Sequence, residues 1–124
     1  MAESNLAQFE GQNYLSLETF RKNGQGVKTP VWFVLHDRVF YVYTEADSGK
    51  VKRIRNNSRV RVAACDMRGS VKGPWIDATA RLIDGDERRA ADKRLDRKYL
   101  LKRISNLFSP LRRSERAFIK IEPV

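Results

Sequence analysis

Between Tyr14 and Ile83 turn residues cut the chain into short runs, and most of these runs alternate in character instead of keeping the helical period. Tyr14 to Phe20 sets Leu15, Leu17 and Thr19 against Ser16 and Glu18, and Trp75 to Ile83 sets Ile76, Ala78, Ala80 and Leu82 against Asp77, Thr79 and Arg81. A period of two sends successive side chains to opposite faces, so these are half-buried strands. Val27 to Leu35, Val39 to Thr44, Val60 to Asp66 and Phe118 to Ile121 read as four more. Lys22-Asn23-Gly24 and His36-Asp37-Arg38 turn the first three into a meander. Pro30 interrupts the second strand. A proline cannot donate to a sheet ladder, so Pro30 marks an edge, a bulge, or backbone that faces a ligand.

Two segments break this pattern. Asp47 or Ser48 can cap a short helix from about Gly49 to Asn56, and from Asp86 or Glu87 the apolar positions Ala91, Leu95, Tyr99, Ile104 and Phe108 keep helical spacing over roughly 86–109. Six strands with one short and one long helix make a mainly β, α+β chain. A small six-stranded β-barrel with helical additions fits it, as one domain over residues 1–124. At 124 residues and 41% hydrophobic composition, one core burying about two-thirds of the unfolded-chain surface is expected. No apolar stretch approaches the ~20 residues that span a bilayer, and Met1 to Asn5 lacks the basic and apolar regions of a signal peptide. The expectation is a soluble cytoplasmic protein with no membrane partner.

The run from Tyr43 to Asn57 joins a strand to a helix whose first turn carries Lys50. Unpaired N–H groups and the positive end of the helix dipole favour an anion there, and Lys50 adds a full charge. The same lysine could equally be a solvated surface charge. The formal net charge of +10 implies an acidic partner, and it is unevenly spread. Eleven Lys or Arg lie between Arg88 and Arg116 against three acids, and six cations without an acid lie between Lys50 and Arg61.

Chemistry is constrained by what the chain lacks. Cys65 is its one cysteine and His36 its one histidine, so thiolate or histidine metal clusters and a Ser-His-Asp triad lack their parts within one chain. Cys65 reads as a small buried hydrophobe on a strand. There is no Gly-x-Gly-x-x-Gly, Walker loop or Gly-x-Ser-x-Gly. An enzyme built from these parts takes its reactivity from an organic cofactor.

The order Leu17-Glu18-Thr19-Phe20-Arg21-Lys22-Asn23-Gly24, Thr29-Pro30-Val31-Trp32-Phe33, Tyr43 to Ile54, and Gly73-Pro74-Trp75 resembles the pyridoxamine 5'-phosphate oxidase-like superfamily, most of all its short, coenzyme F420-dependent members. The resemblance implies a split β-barrel of the FMN-binding type and a homodimer holding FMN or coenzyme F420 between subunits. It implies an oxidoreductase that passes a hydride to or from a small-molecule redox substrate. Lys50 matches the lysine that grips the cofactor phosphate, with Thr44 and Ser48 as hydroxyl donors and Lys52 and Arg53 as weaker candidates. Thr29, Pro30, Val31 and Trp32 match the strand beside the flavin ring, though Trp32 also reads as core. Trp75 is placed to reach the ring from the other subunit, or to serve as a dimer contact.

Two departures separate this chain from the oxidases that name the superfamily. The arginine those enzymes carry near Thr29 is missing, and so is their C-terminal arginine and histidine substrate motif, which makes pyridoxamine phosphate a poor substrate guess. The strong positive charge favours the more anionic deazaflavin coenzyme over FMN. Two other readings stay open: an FMN-binding or flavin carrier protein without turnover, and a basic barrel that binds nucleic acid. The second rests on charge alone, without an RNP-type aromatic motif, and is not expected.

Overall fold

A computed structural model describes residues 5–99 and 116–124. Six strands, β1 (Tyr14–Phe20), β2 (Gly26–His36), β3 (Val39–Glu45), β4 (Arg59–Cys65), β5 (Ile76–Ile83) and β6 (Arg116–Pro123), close into an antiparallel barrel in the order β1-β2-β3-β6-β5-β4. Two helices accompany them, α1 (Gly49–Asn56) and α2 (Gly85–Lys98). The remainder of the helix expected to continue to about residue 109, with Ile104 and Phe108, lies outside the described residues. Among the described residues no helix is long and apolar enough to cross a membrane.

Alternation along the strands fills the barrel with Leu15, Leu17, Phe33, Phe40, Val42, Val60, Val62, Ile119 and Ile121, all buried. Phe9, on a short 3-10 turn before β1, packs edge-on against Phe33 and Phe40 at 5.6 and 4.7 Å between ring centroids. Burying each such side chain contributes about 1.5–3 kcal/mol. Cys65 is buried, and its apolar surroundings push the thiol up to about 11, with Asp66 adding to the rise and Lys72 opposing it. Asp37 and Arg38 both take positive φ, 50° and 64°, as a two-residue hairpin between β2 and β3 requires of both its central residues.

The strand β2 changes partner along its length. Gly26 to Trp32 pairs with β1, whereas Phe33 to His36 pairs with β3. Beyond β1, the bond from Arg21 N to Gln25 O fixes the phase of the ladder. Hydrogen-bonded pairs alternate in an antiparallel ladder, so Val27, Thr29 and Val31 turn their backbone groups to β1 while Lys28, Pro30 and Trp32 turn theirs to the other edge. Pairing with β3 sets in next to Trp32, at Phe33, and among the described residues no strand pairs with that edge at Lys28 and Pro30. Pro30 therefore occupies a position where a strand N–H would have no ladder partner, and β2 runs through it without a bulge.

The next hydrogen-bonded position, Phe33, lies beyond the start of β1, and Tyr99 fills the gap. Its hydroxyl accepts from Phe33 N at 2.9 Å and lies 2.6 Å from Phe33 O and 2.7 Å from Asn13 O, sharing one proton between the two carbonyls. Burial raises the pKa of the phenol, which keeps that proton in place. The same residue closes α2 and, with Ala91, Leu95, Ile83 and Phe118, forms a second small core outside the barrel. Tyr99→Phe should leave these backbone groups without their partner and lower stability by about 1–3 kcal/mol, read by urea denaturation at neutral pH.

Candidate functional site

Where β2 leaves β3, the two strands diverge and a groove of about 340 Å³ opens between them, lined by Tyr14, Pro30, Val31, Trp32, Tyr43, Thr44, Glu45 and Lys50. One wall is the edge of β2 around Pro30, with which no strand pairs among the described residues. The aromatic part is braced: Trp32 stacks on Tyr99 at 4.7 Å and 8° between planes, and meets Tyr43 edge-on at 6.4 Å. These rings are outward-facing members of their strands, fixed by the alternation that buries Val31, Phe33 and Val42 inside.

Lys50 enters from α1. Ser48 caps that helix by accepting from Val51 N at 3.5 Å, while Val51 and Ile54 are buried beneath it. This anchoring fixes the first turn and brings Lys50, two residues after the cap, to the groove. The Lys50 side chain is half-buried, and no carboxylate pairs with its ammonium among the described residues. Burial pushes its pKa down, the Arg53 charge pushes it further, and Glu45 pulls it partly back. A desolvated cation without an ion pair is costly to the fold by itself, and a bound anion would offset that cost.

The expected site residues separate into groups. Lys50, Thr44, Pro30, Val31 and Trp32 come together around the groove. Ser48 is occupied with its cap. Thr29 pairs with Leu17, and its hydroxyl is buried without a hydrogen-bond partner, off the groove lining. Lys52 is exposed. Arg53 donates from Nε to Thr19 Oγ1 at 2.7 Å, and its guanidinium crosses the helix start so closely that a Cβ on Gly49 would lie 2.7 Å from Nη1. It therefore adds charge beside Lys50 from a tethered position. Trp75 stands apart within its own chain, with Lys28 Nζ at 5.2 Å and Arg61 Cζ at 4.9 Å from its ring centroid.

Tyr14, Tyr43 and Glu45 line the groove without having been singled out from the sequence. Tyr43 and Glu45 share the outward face of β3, so period-two counting back from the strand end could have found them. Tyr14 could not be found that way, because its place depends on where β2 changes partner.

The family model described as pyridoxamine 5'-phosphate oxidase matches residues 1–124. The chain belongs to this family. No curated protein matches it. Among solved structures, the heme storage protein HutZ of Vibrio cholerae aligns at a TM-score of 0.72 and 15% identity, covering 99% of this chain and 90% of HutZ. General Stress Protein 26 of Bacillus anthracis aligns at 0.68 and 24% identity, covering 98% and 88%. A FAD-binding protein of Mesorhizobium loti aligns at 0.69 and 17% identity, covering 100% and 90%. At such identities the likeness is one of fold. The pyridoxamine 5'-phosphate oxidase family barrel is thus shared by proteins named for quite different tasks, and function must be argued from the groove.

Lys50→Met should raise Tm of the ligand-free protein by about 1–3 °C at pH 7, because it removes an unpaired, partly desolvated charge beside Arg53. The folded-state pKa of Lys50 is lowered, so its cost is full while the ammonium is charged in both states. The gain from the substitution should shrink as pH rises through the lowered pKa, as read by thermal melts at several pH values.

Proposed function

We propose that this chain is an oxidoreductase that binds a flavin-type cofactor in the groove, with coenzyme F420 favoured and FMN a close second, and transfers a hydride to or from an organic substrate. The observation that carries the reading is Lys50: a half-buried ammonium with no ion pair among the described residues, at a helix start, beside an aromatic wall and the strand edge at Pro30. Lys50 and the first N–H groups of α1 suit a phosphate, Thr44 supplies a hydroxyl beside it, and the β2 edge from Pro30 to Trp32 with Tyr43 suits a flat heteroaromatic ring. Lys52 lies outside the groove, Arg53 strengthens the local positive potential, and Ser48 and Thr29 support the site from behind.

When bound, the cofactor supplies the hydride chemistry. The chain's own residues bind, orient and exclude water. Lys50 fixes the phosphate end, and Trp32, held against Tyr99, fixes the plane against which a ring can lie. No side chain is required as a covalent catalyst. A groove near 340 Å³ is at the low end of ligand clefts, which run from about 300 to 1,000 Å³, so one chain covers only part of such a cofactor. A homodimer would complete the site, with Trp75 of the partner subunit as the residue to reach the ring.

A binding or carrier role without turnover is the second reading, since the same groove residues would hold a cofactor whether or not it turns over. Reduction assays on the loaded protein separate the two readings.

Calorimetric titration of the pure protein with FMN and with coenzyme F420 should give saturable binding of at least one, and Lys50→Ala should weaken it tenfold or more, equivalent to ~1.4 kcal/mol. Affinity should also fall as pH rises through the lowered pKa of Lys50, since the phosphate needs the ammonium form. Undiminished affinity in the alanine variant removes the phosphate assignment.

A further inference from the structure

Three of the six cations of α2 are placed over aromatic rings. Arg88 lies 4.8 Å from the Phe118 centroid, Arg94 5.5 Å from Tyr41, and Lys98 3.5 Å from Phe33. Arg116, at the start of β6, shares the habit but not the location. It stands opposite Glu45 in the β3–β6 ladder, and its guanidinium lies 4.7 Å from the Tyr43 ring centroid. Tyr43 and Glu45 are both groove residues, so Arg116 flanks the groove through two of its lining side chains.

Two donor atoms of Arg116 are idle: Nε and Nη1 are shielded from solvent and have no hydrogen-bond partner among the described residues, although Glu45 is the direct neighbour of Arg116 across the ladder. Buried polar atoms in native folds are nearly always satisfied, and an exception calls for an explanation such as a water or a bound group. Contact with the face of Tyr43 holds the guanidinium beside the groove, and its planar fork suits a two-oxygen acceptor such as a carboxylate. Lys50, a compact point charge at a helix start, suits the phosphate. Glu45 is exposed and acts on Lys50, and it makes no ion pair with Arg116 among the described residues.

We propose that Arg116 is the second anion contact of the groove and receives a carboxylate of the bound ligand. The carboxylate comes either from the acidic tail of the cofactor or from a separate acidic substrate; only the first source rests on the cofactor reading above. Wild type, Arg116→Gln and Arg116→Lys are titrated by calorimetry with FMN, which has a phosphate and no carboxylate, with coenzyme F420, and with citrate added to FMN-loaded and to unloaded protein.

Arg116→Gln should bind FMN within twofold of wild type. It should lose at least tenfold toward coenzyme F420 if the carboxylate belongs to the cofactor, or toward citrate if it belongs to a separate ligand. Arg116→Lys should recover only part of the loss, because it keeps the charge but not the fork. Unchanged affinities for both coenzyme F420 and citrate overturn the proposal, as does an equal loss toward FMN. If Arg116→Gln does not fold, Arg116→Lys decides: a threefold or greater loss supports the contact and no loss overturns it. If wild type takes up neither cofactor, the cofactor reading fails alone. Citrate binding to unloaded protein that depends on Arg116 then still supports the carboxylate contact, and binding indifferent to Arg116 overturns it.

Discussion

The change of partner along β2 is the constraint on which the rest of the molecule depends. A strand that pairs first with β1 and then with β3 must leave an edge open on each side in turn. On the β1 side, the hydroxyl of Tyr99 satisfies the backbone at Phe33 where β1 has not yet begun. On the β3 side, Lys28 to Trp32 faces the divergence that becomes the groove. Closing both edges with strands would give a more regular barrel and remove this concave aromatic surface. Because Tyr99 also ends α2 and stacks on Trp32, one side chain joins the barrel, the outer helix and the groove wall.

Much of this was legible in the residues. The alternation of Leu15, Leu17, Ile76, Ala78 and Ala80 gave their strands, since a period-two pattern with one apolar face has few other solutions. Ser48 before Gly49 and Lys50 gave a helix start with an anion-binding character, and α1 runs over the expected Gly49 to Asn56. Pro30 gave the clue to an open edge, because a missing N–H is tolerated only where no ladder bond is needed. Element ends moved slightly: β4 ends at Cys65, not Asp66, and β5 begins at Ile76, not Trp75.

What the residues did not reveal is long-range. Tyr99 scored as one more apolar position on a helix, and nothing local signals that its hydroxyl bridges Asn13 and Phe33, each more than eighty or sixty residues away. Arg53 looked like a second ligand for an anion, but its bond to Thr19 across the barrel end holds it to one side. Trp75 next to Gly73-Pro74 looked like a ring contact; in its own chain it is enclosed by Lys28 and Arg61, a pairing set by the β1–β2 and β1–β4 registers. Charge counting registered a basic stretch from Arg88 to Arg116, yet several of these cations lie on aromatic faces, and only Arg116 of the described ones flanks groove residues.

In the proposed complex, the phosphate and ring of a flavin-type cofactor would occupy the divergence of β2 and β3. Backbone amide ¹H–¹⁵N NMR spectra recorded during titration with FMN test it most directly. With the cofactor in this groove, the largest shifts fall on Val31, Trp32, Thr44, Glu45 and Lys50. Shifts concentrated instead at the smaller cleft formed by Phe20, Gly24, Asn57, Arg59 and Arg61 would contradict it.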